Sequence, residues 1–196
     1  MIHDRTNGKD GIYITYEEDN PISFNPFYTE SGKFDVEKRD SINTLILTLW
    51  KREDESPKRS EEVALSGAVN AYIRKISENR NIRPDFNGFY EFVADDYRRM
   101  IEEKKVREKD FDIDGFLNVL EPFYRGGDYD FLLNSDKELD LTGKRFIVFE
   151  LDNISSNKVL LPVVTLIIME TFIAKMRRLK GCLLYTSPSP RDRQKS

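Results

Sequence analysis

Two carboxylates close the clearest strand pattern in the chain. Residues 145–151 read RFIVFEL, and Glu150 and Asp152 stand at its end. Consecutive Ile147, Val148 and Phe149 predict a strand buried on both faces. Acids at the carboxyl end of such a strand face the ligand crevice of an open α/β sheet. The same two acids also read as helix caps or surface groups. Two Gly-Lys pairs invite a phosphate-loop reading, and both fail it. Thr142-Gly143-Lys144-Arg145 has Glu138 where the earlier glycine of such a loop belongs, and Arg145 where a Ser or Thr would hold magnesium. Asn7-Gly8-Lys9-Asp10 fails in the same way. No apolar run ending in paired acids follows residue 160. His3, the single histidine, sits at a frayed end and suits no catalytic triad. The residues therefore predict no catalytic, cofactor-binding or metal-ligating group beyond Glu150 and Asp152 as site-proximal candidates.

Composition bounds the rest. The 196 residues suit one domain or part of a larger one. Charged residues make up 34% and the net charge is -4 with both signs mixed, which argues against binding nucleic acid by bulk charge. One cysteine and one histidine exclude a disulfide framework and a Cys/His metal site. A reducing, cytoplasmic setting fits. The apolar stretch 159–174 is short for a membrane span and contains Pro162, Thr165, Glu170 and Thr171, so a helix laid on a sheet is the better reading.

Periodicity supplies the elements that would position the acids. Residues 11–27 predict two short strands, Ile12 to Tyr16 and Ile22 to Phe24, with a turn at Asn20-Pro21. Asp35 caps a helix to about Arg52, with Ile42, Leu45, Ile46, Leu49 and Trp50 inward. Ser60 caps a second, with Leu65, Ala68, Val69, Tyr72, Ile73 and Ile76 inward. Pro84-Asp85 starts a third, lined by Phe86, Phe89, Tyr90, Val93, Tyr97 and Met100. Asp112 opens a fourth that stops near Pro122. Gly126-Gly127 breaks the pattern, and Tyr129 to Asn134 reads as extended or irregular. Ser155 or Ser156 caps a final helix over 157–180. The aromatic positions Phe86, Phe89, Tyr90, Phe92 and Tyr97 could stack bases, but helical spacing makes them core. The stretch Arg98, Arg99, Lys104, Lys105, Arg107 and Lys109, broken by acids, reads as a solvated face where a DNA or partner contact is weakly supported.

The tail 182–196, CLLYTSPSPRDRQKS, changes character abruptly. Its first eleven residues look like the translation of a transposase-based sequencing adapter. The trustworthy frame is then expected to end at about Gly181, and the lone Cys182 belongs to the non-native tail.

Longer strings carry a family resemblance. NPISFNPFY at 20–28, DVEKRDSINTLILTLWKRED at 35–54, RSEEVALSGAV at 59–69 and KRFIVFELDNI at 144–154 resemble TraG-family conjugation-system ATPases of Bacteroides-type conjugative elements. So do VREKDFDIDGFLNVLEPFYRGGDYDFLLNSD at 106–136 and VVTLIIMETFIAKMRRLKG at 163–181. The resemblance implies an α/β fold, a partial P-loop core of the additional-strand class with an inserted all-helical subdomain. It places short core strands at 1–34, the helical subdomain at 35–123 and the return to the core at 124–181. It implies an internal fragment of a large type IV secretion ATPase, lacking both Walker elements and inactive alone. Alternatives are a fragment of a DNA coupling protein and a non-catalytic helical interaction module. For the parent it implies ATP and magnesium, a homo-oligomer, secretion-channel partners, and DNA or relaxase–DNA as an indirect substrate. It also implies a cytoplasmic position at the inner face of the inner membrane, with no transmembrane segment in this stretch.

Overall fold

Apolar residues at helical spacing place the described helices, the last one included, around one core. A computed structural model describes residues 11–17, 22–29, 32–51, 54–79, 81–107, 109–135, 144 and 146–183. Helix α1 spans Val36–Trp50, and Asp35 caps it by accepting from Lys38 N at 2.7 Å. Its buried stripe is Ile42, Leu45, Ile46 and Leu49. Trp50 packs its edge on Phe116, with ring centroids 4.9 Å apart.

Helix α2 spans Arg59–Glu78 and buries all six expected residues. Its cap differs from the expectation at Ser60: Lys58 is the cap position. Glu61 takes over the capping work, accepting from Lys58 N at 2.8 Å and sitting where the helix dipole favours an acid.

Helix α3, Phe86–Phe92, starts at the Asp85 cap, whose carboxylate accepts from Gly88 N at 2.8 Å. It passes into a π turn, Val93–Tyr97, and then into α4, Arg98–Glu103. The π turn corrects one core assignment. Met100 is 38% exposed, and Ile101, at 8%, takes the inward place. An i→i−5 turn holds one more residue than an α turn, so every later position is displaced by one.

Helix α4 ends in a Schellman motif. Val106 N donates to Ile101 O at 3.0 Å and Lys105 N to Glu102 O at 2.9 Å. The residue that must turn left-handed is Lys105, with φ 55°. A side chain there is strained, where glycine is not. Lys105→Gly is therefore expected to raise the unfolding free energy by ~0.5–1 kcal/mol, read by denaturant titration. A destabilised variant would mean that the left-handed turn is not the resting conformation.

Helix α5, Ile113–Leu120, is capped by Asp112 through Gly115 N and ends in a short 3-10 turn at Glu121–Phe123. The segment after it is irregular, but Leu132 and Leu133 are fully buried.

Among the described residues the sheet has two strands. β1 is Gly11–Thr15 and β2 is Phe146–Glu150. They run parallel, with Gly11 opposite Phe146 and Thr15 opposite Glu150. All the helices named so far lie between these strands in sequence. The expected second strand at Ile22–Phe24 does not form. Asn25 turns the chain instead, its side chain accepting from Phe27 N and donating to Pro84 O, while Pro26 lacks an N–H for a ladder. Phe24 still bridges to the irregular segment, donating to Leu132 O at 2.7 Å and accepting from Ser135 N.

Two-sided burial of β2 is also corrected. Phe146 and Val148 are 47% and 49% exposed, and Tyr13 on the same face of β1 is 58% exposed. Among the described residues only the opposite face is covered. Helix α6, Leu160–Leu183, lies there, bringing the Phe172 ring against Phe149 with centroids 6.0 Å apart. Lys175 Nζ donates to Lys144 O nearby. The N-terminal hydrogen bonds of α6 come from Asn157 rather than Ser155 or Ser156. Its Oδ1 accepts from Val159 N and Leu160 N, which an amide one turn ahead reaches more directly. Pro162 falls in the first turn, where its missing N–H costs nothing. The helix backbone continues through Cys182 to Leu183, past the expected end at 180. No described helix is long and apolar enough to cross a membrane. Asn20-Pro21, both Gly-Lys decoys except Lys144, His3 and residues 184–196 lie outside the described residues.

Candidate functional site

The carboxyl edge of the parallel pair gathers polar groups from both strands. Register puts Thr15 beside Glu150, and Thr15 Oγ1 donates to Glu150 Oε2 at 3.0 Å. Tyr13 lies on the same face, and its proximity to Glu150 raises its pKa, first through hydrogen bonding to that carboxylate and then through desolvation. Tyr16 N extends the ladder by donating to Glu150 O at 3.1 Å. Asn153 Nδ2 donates to Tyr16 O at 2.9 Å, tying the chain after β2 to the end of β1.

Glu150 is thus a half-exposed carboxylate held by the Thr15 hydroxyl, a group able to accept a further hydrogen bond from a ligand or a water. Asp152 is placed differently. It opens the 3-10 turn Asp152–Ile154, its carbonyl accepting from Ser155 N and Oγ, with its side chain on the surface. Sequence position singled out the two acids as candidates, and the structure puts Glu150 at the end of β2 and Asp152 in the turn beyond it. Thr15 and Tyr13 were missed, because only the strand register brings them to Glu150 across the fold.

The basic stretch does not form one patch. Arg98 pairs with Asp114 at 2.6 Å, Arg107 with Asp110 at 2.7 Å, and Arg99 with Asp96. Asp96 also meets Lys75 at 2.5 Å, and those two cations hold its carboxyl below the usual range, Lys75 contributing most. Lys75, Asp96, Arg98 and Arg99 border an open cleft of about 670 Å³ over the π turn, with Tyr72 and Phe92 also lining it. The aromatic cluster itself is core. Phe89 stacks on Phe27 and meets Tyr72 edge-on, and burial pushes the Tyr72 hydroxyl well up. Tyr90 is half-buried and stacks on Tyr124, with centroids 4.3 Å apart.

Parallel strands joined through helices, with a further helix across one face, make this an α/β protein. A family model described as the TraG P-loop domain matches residues 4–185. The chain belongs to that family, one of conjugation-related P-loop ATPases. No curated protein and no solved structure matches it.

Proposed function

We propose that this chain is the stretch of a conjugative type IV secretion ATPase that lies between the two halves of its nucleotide site. The family match over residues 4–185 carries the reading. The order of elements supports it: a strand, a run of helices over 35–123, then the strand and helix of 124–181. On this reading the helical run is a subdomain inserted between the Walker A and Walker B elements, and residues 182–196 are non-native. The P-loop amides, lysine and magnesium that hold phosphates come from outside the stretch. The parent works as an oligomer at the cytoplasmic face of the inner membrane, against channel proteins, and moves DNA or a relaxase–DNA conjugate.

Glu150 is assigned to the rim of that site, at the carboxyl end of a strand where nucleotide crevices open. It would orient polar groups there through its fixed carboxylate, with Asp152 further out. No residue of this stretch contacts phosphate alone.

Calorimetric titration of the 196-residue chain with Mg-ATP tests the reading. No heat of binding is expected; saturable binding would show a nucleotide site within the chain and sink the between-halves assignment. In the full-length parent, Glu150→Gln is expected to lower ATP turnover about tenfold or more, the scale of a lost general-base or orienting group. Unchanged turnover would return Glu150 to a surface role.

A further inference from the structure

The π turn sits where two adjacent apolar residues compete for one inward place. Val93 and Tyr97 are buried, and beyond them the chain offers Met100 and then Ile101. In an unbroken α-helix, Val93, Tyr97 and Met100 share one side, within about 60° of arc. With the extra residue of the π turn, Ile101 arrives there instead and Met100 turns outward.

Tyr97 serves both arrangements, because four residues from Val93 return to the buried side in either turn. Its hydroxyl donates to Ala64 O at 2.7 Å, and Gly67 leaves room for it: a Cβ at that position would lie 2.8 Å from the Tyr97 oxygen.

Apart from Ile101, the side-chain contacts that hold the observed register are part-buried or exposed. Arg98 Nε donates to Ala94 O at 3.1 Å and Arg99 Nε to Asp95 O at 3.4 Å, serving carbonyls of the widened turn. Their guanidinium tips reach Asp114 and Asp96, and Asp96 reaches Lys75. Exposed pairs of this kind are weak and screened by salt. Downstream, the left-handed Lys105 and the irregular link to Asp112 follow within a few residues, so a one-residue shift of α4 ends there rather than spreading into α5.

We propose that Val93–Tyr97 is a register switch: the π turn relaxes to α, Met100 replaces Ile101 in the core, and Arg98 leaves Asp114. The exchange swaps two apolar residues of similar volume, which cores tolerate well. The cleft over the turn is lined by Asp95, Asp96, Arg98 and Arg99, so a change of register reshapes it. This goes beyond the nucleotide-site reading and does not depend on it.

Methyl-labelled methionine in the full chain reads the switch directly, since there are only four methionines. The Met100 methyl is expected to show relaxation dispersion from a minor state populated at about 0.1–10%. Ile101→Ala weakens only the π register, and is expected to raise that population by about tenfold or more. Deleting Asp95 removes the extra residue. Tyr97 and Ile101 then fall three and seven places after Val93 on one α face, so the protein stays folded and the dispersion disappears. Flat dispersion in the wild type overturns the proposal, as does unfolding on deletion of Asp95. If Ile101→Ala does not fold, the wild-type dispersion and the deletion decide.

Discussion

Phe27→Ala is expected to lower the unfolding free energy by ~3–5 kcal/mol, the cost of removing a fully buried aromatic ring. The ring is 0% exposed. It meets Tyr72 edge-on at 4.9 Å and stacks on Phe89 at 5.3 Å. Its backbone is also set locally, Phe27 N donating to Asn25 Oδ1 at 3.0 Å. Nothing small can refill a space walled by α2 and α3 without moving both helices. Denaturant unfolding gives the number, with the midpoint falling and the slope unchanged. Tyr28, next in sequence and exposed, supplies the comparison: Tyr28→Ala should change stability by no more than ~0.5 kcal/mol. Equal losses at the two positions would show that residues 22–29 are not part of the helical core.

The second large effect comes from adding one carbon. A Cβ on Gly127 would stand 2.4 Å from Pro122 O, 2.6 Å from Pro122 C and 2.7 Å from Glu121 O. Those are backbone atoms, so no side chain can swing away. Relief requires the 3-10 turn to move, and Tyr129 N donates to Pro122 O at 2.8 Å in that turn. Gly127→Ala is expected to cost ~3 kcal/mol, the upper end of overpacking plus a weakened hydrogen bond. Gly126 beside it is different. Its φ is 82° and the space around a Cβ is open, so alanine there meets only backbone strain of ~1–2 kcal/mol. Thermal unfolding of both variants ranks them; Gly126→Ala falling further than Gly127→Ala would contradict the close approach.

The difference between the two glycines shows what a sequence can carry. Gly126-Gly127 marks a break in pattern, and that much is legible. Which glycine is needed for its φ and which for closeness depends on Pro122, five residues back. The helices were legible for a simpler reason. Period 3.6 sorts residues such as Ile42, Leu45, Ile46 and Leu49 onto one side, whatever the tertiary partner. The same arithmetic put Met100 inward, because it assumes that every turn holds the same number of residues. The signal of the π turn was present as Phe89, Val93, Tyr97 and Ile101, a steady spacing of four that an α-helix lets drift around its surface.

The surroundings of the candidate acids were half legible. Glu150 and Asp152 follow from their place after an apolar run. Thr15 lies 135 residues from Glu150, and no local pattern encodes their register. Two-sided burial of β2 was expected from Ile147-Val148-Phe149, yet among the described residues α6 covers only the Ile147 and Phe149 side. An apolar run reports what a strand can bury, not how many faces its neighbours cover.

The parallel pairing of β1 with β2 has a consequence for the order of assembly. A free chain closing a loop between Gly11 and Phe146 loses entropy that grows with loop length, by about 0.6 kcal/mol per doubling. The intervening residues are not free once α1 to α5 have packed around Phe27, Tyr72 and Phe89. The helices then act as a folded spacer, and less free chain remains to be closed. Local helical contacts form fast and distant parallel ladders form slowly. The strand pair is therefore expected to close last, after the helical core has measured out the distance between its two halves, and pulse-labelled hydrogen exchange that protects Ile12 to Thr15 before Leu65 to Ile76 would contradict that order.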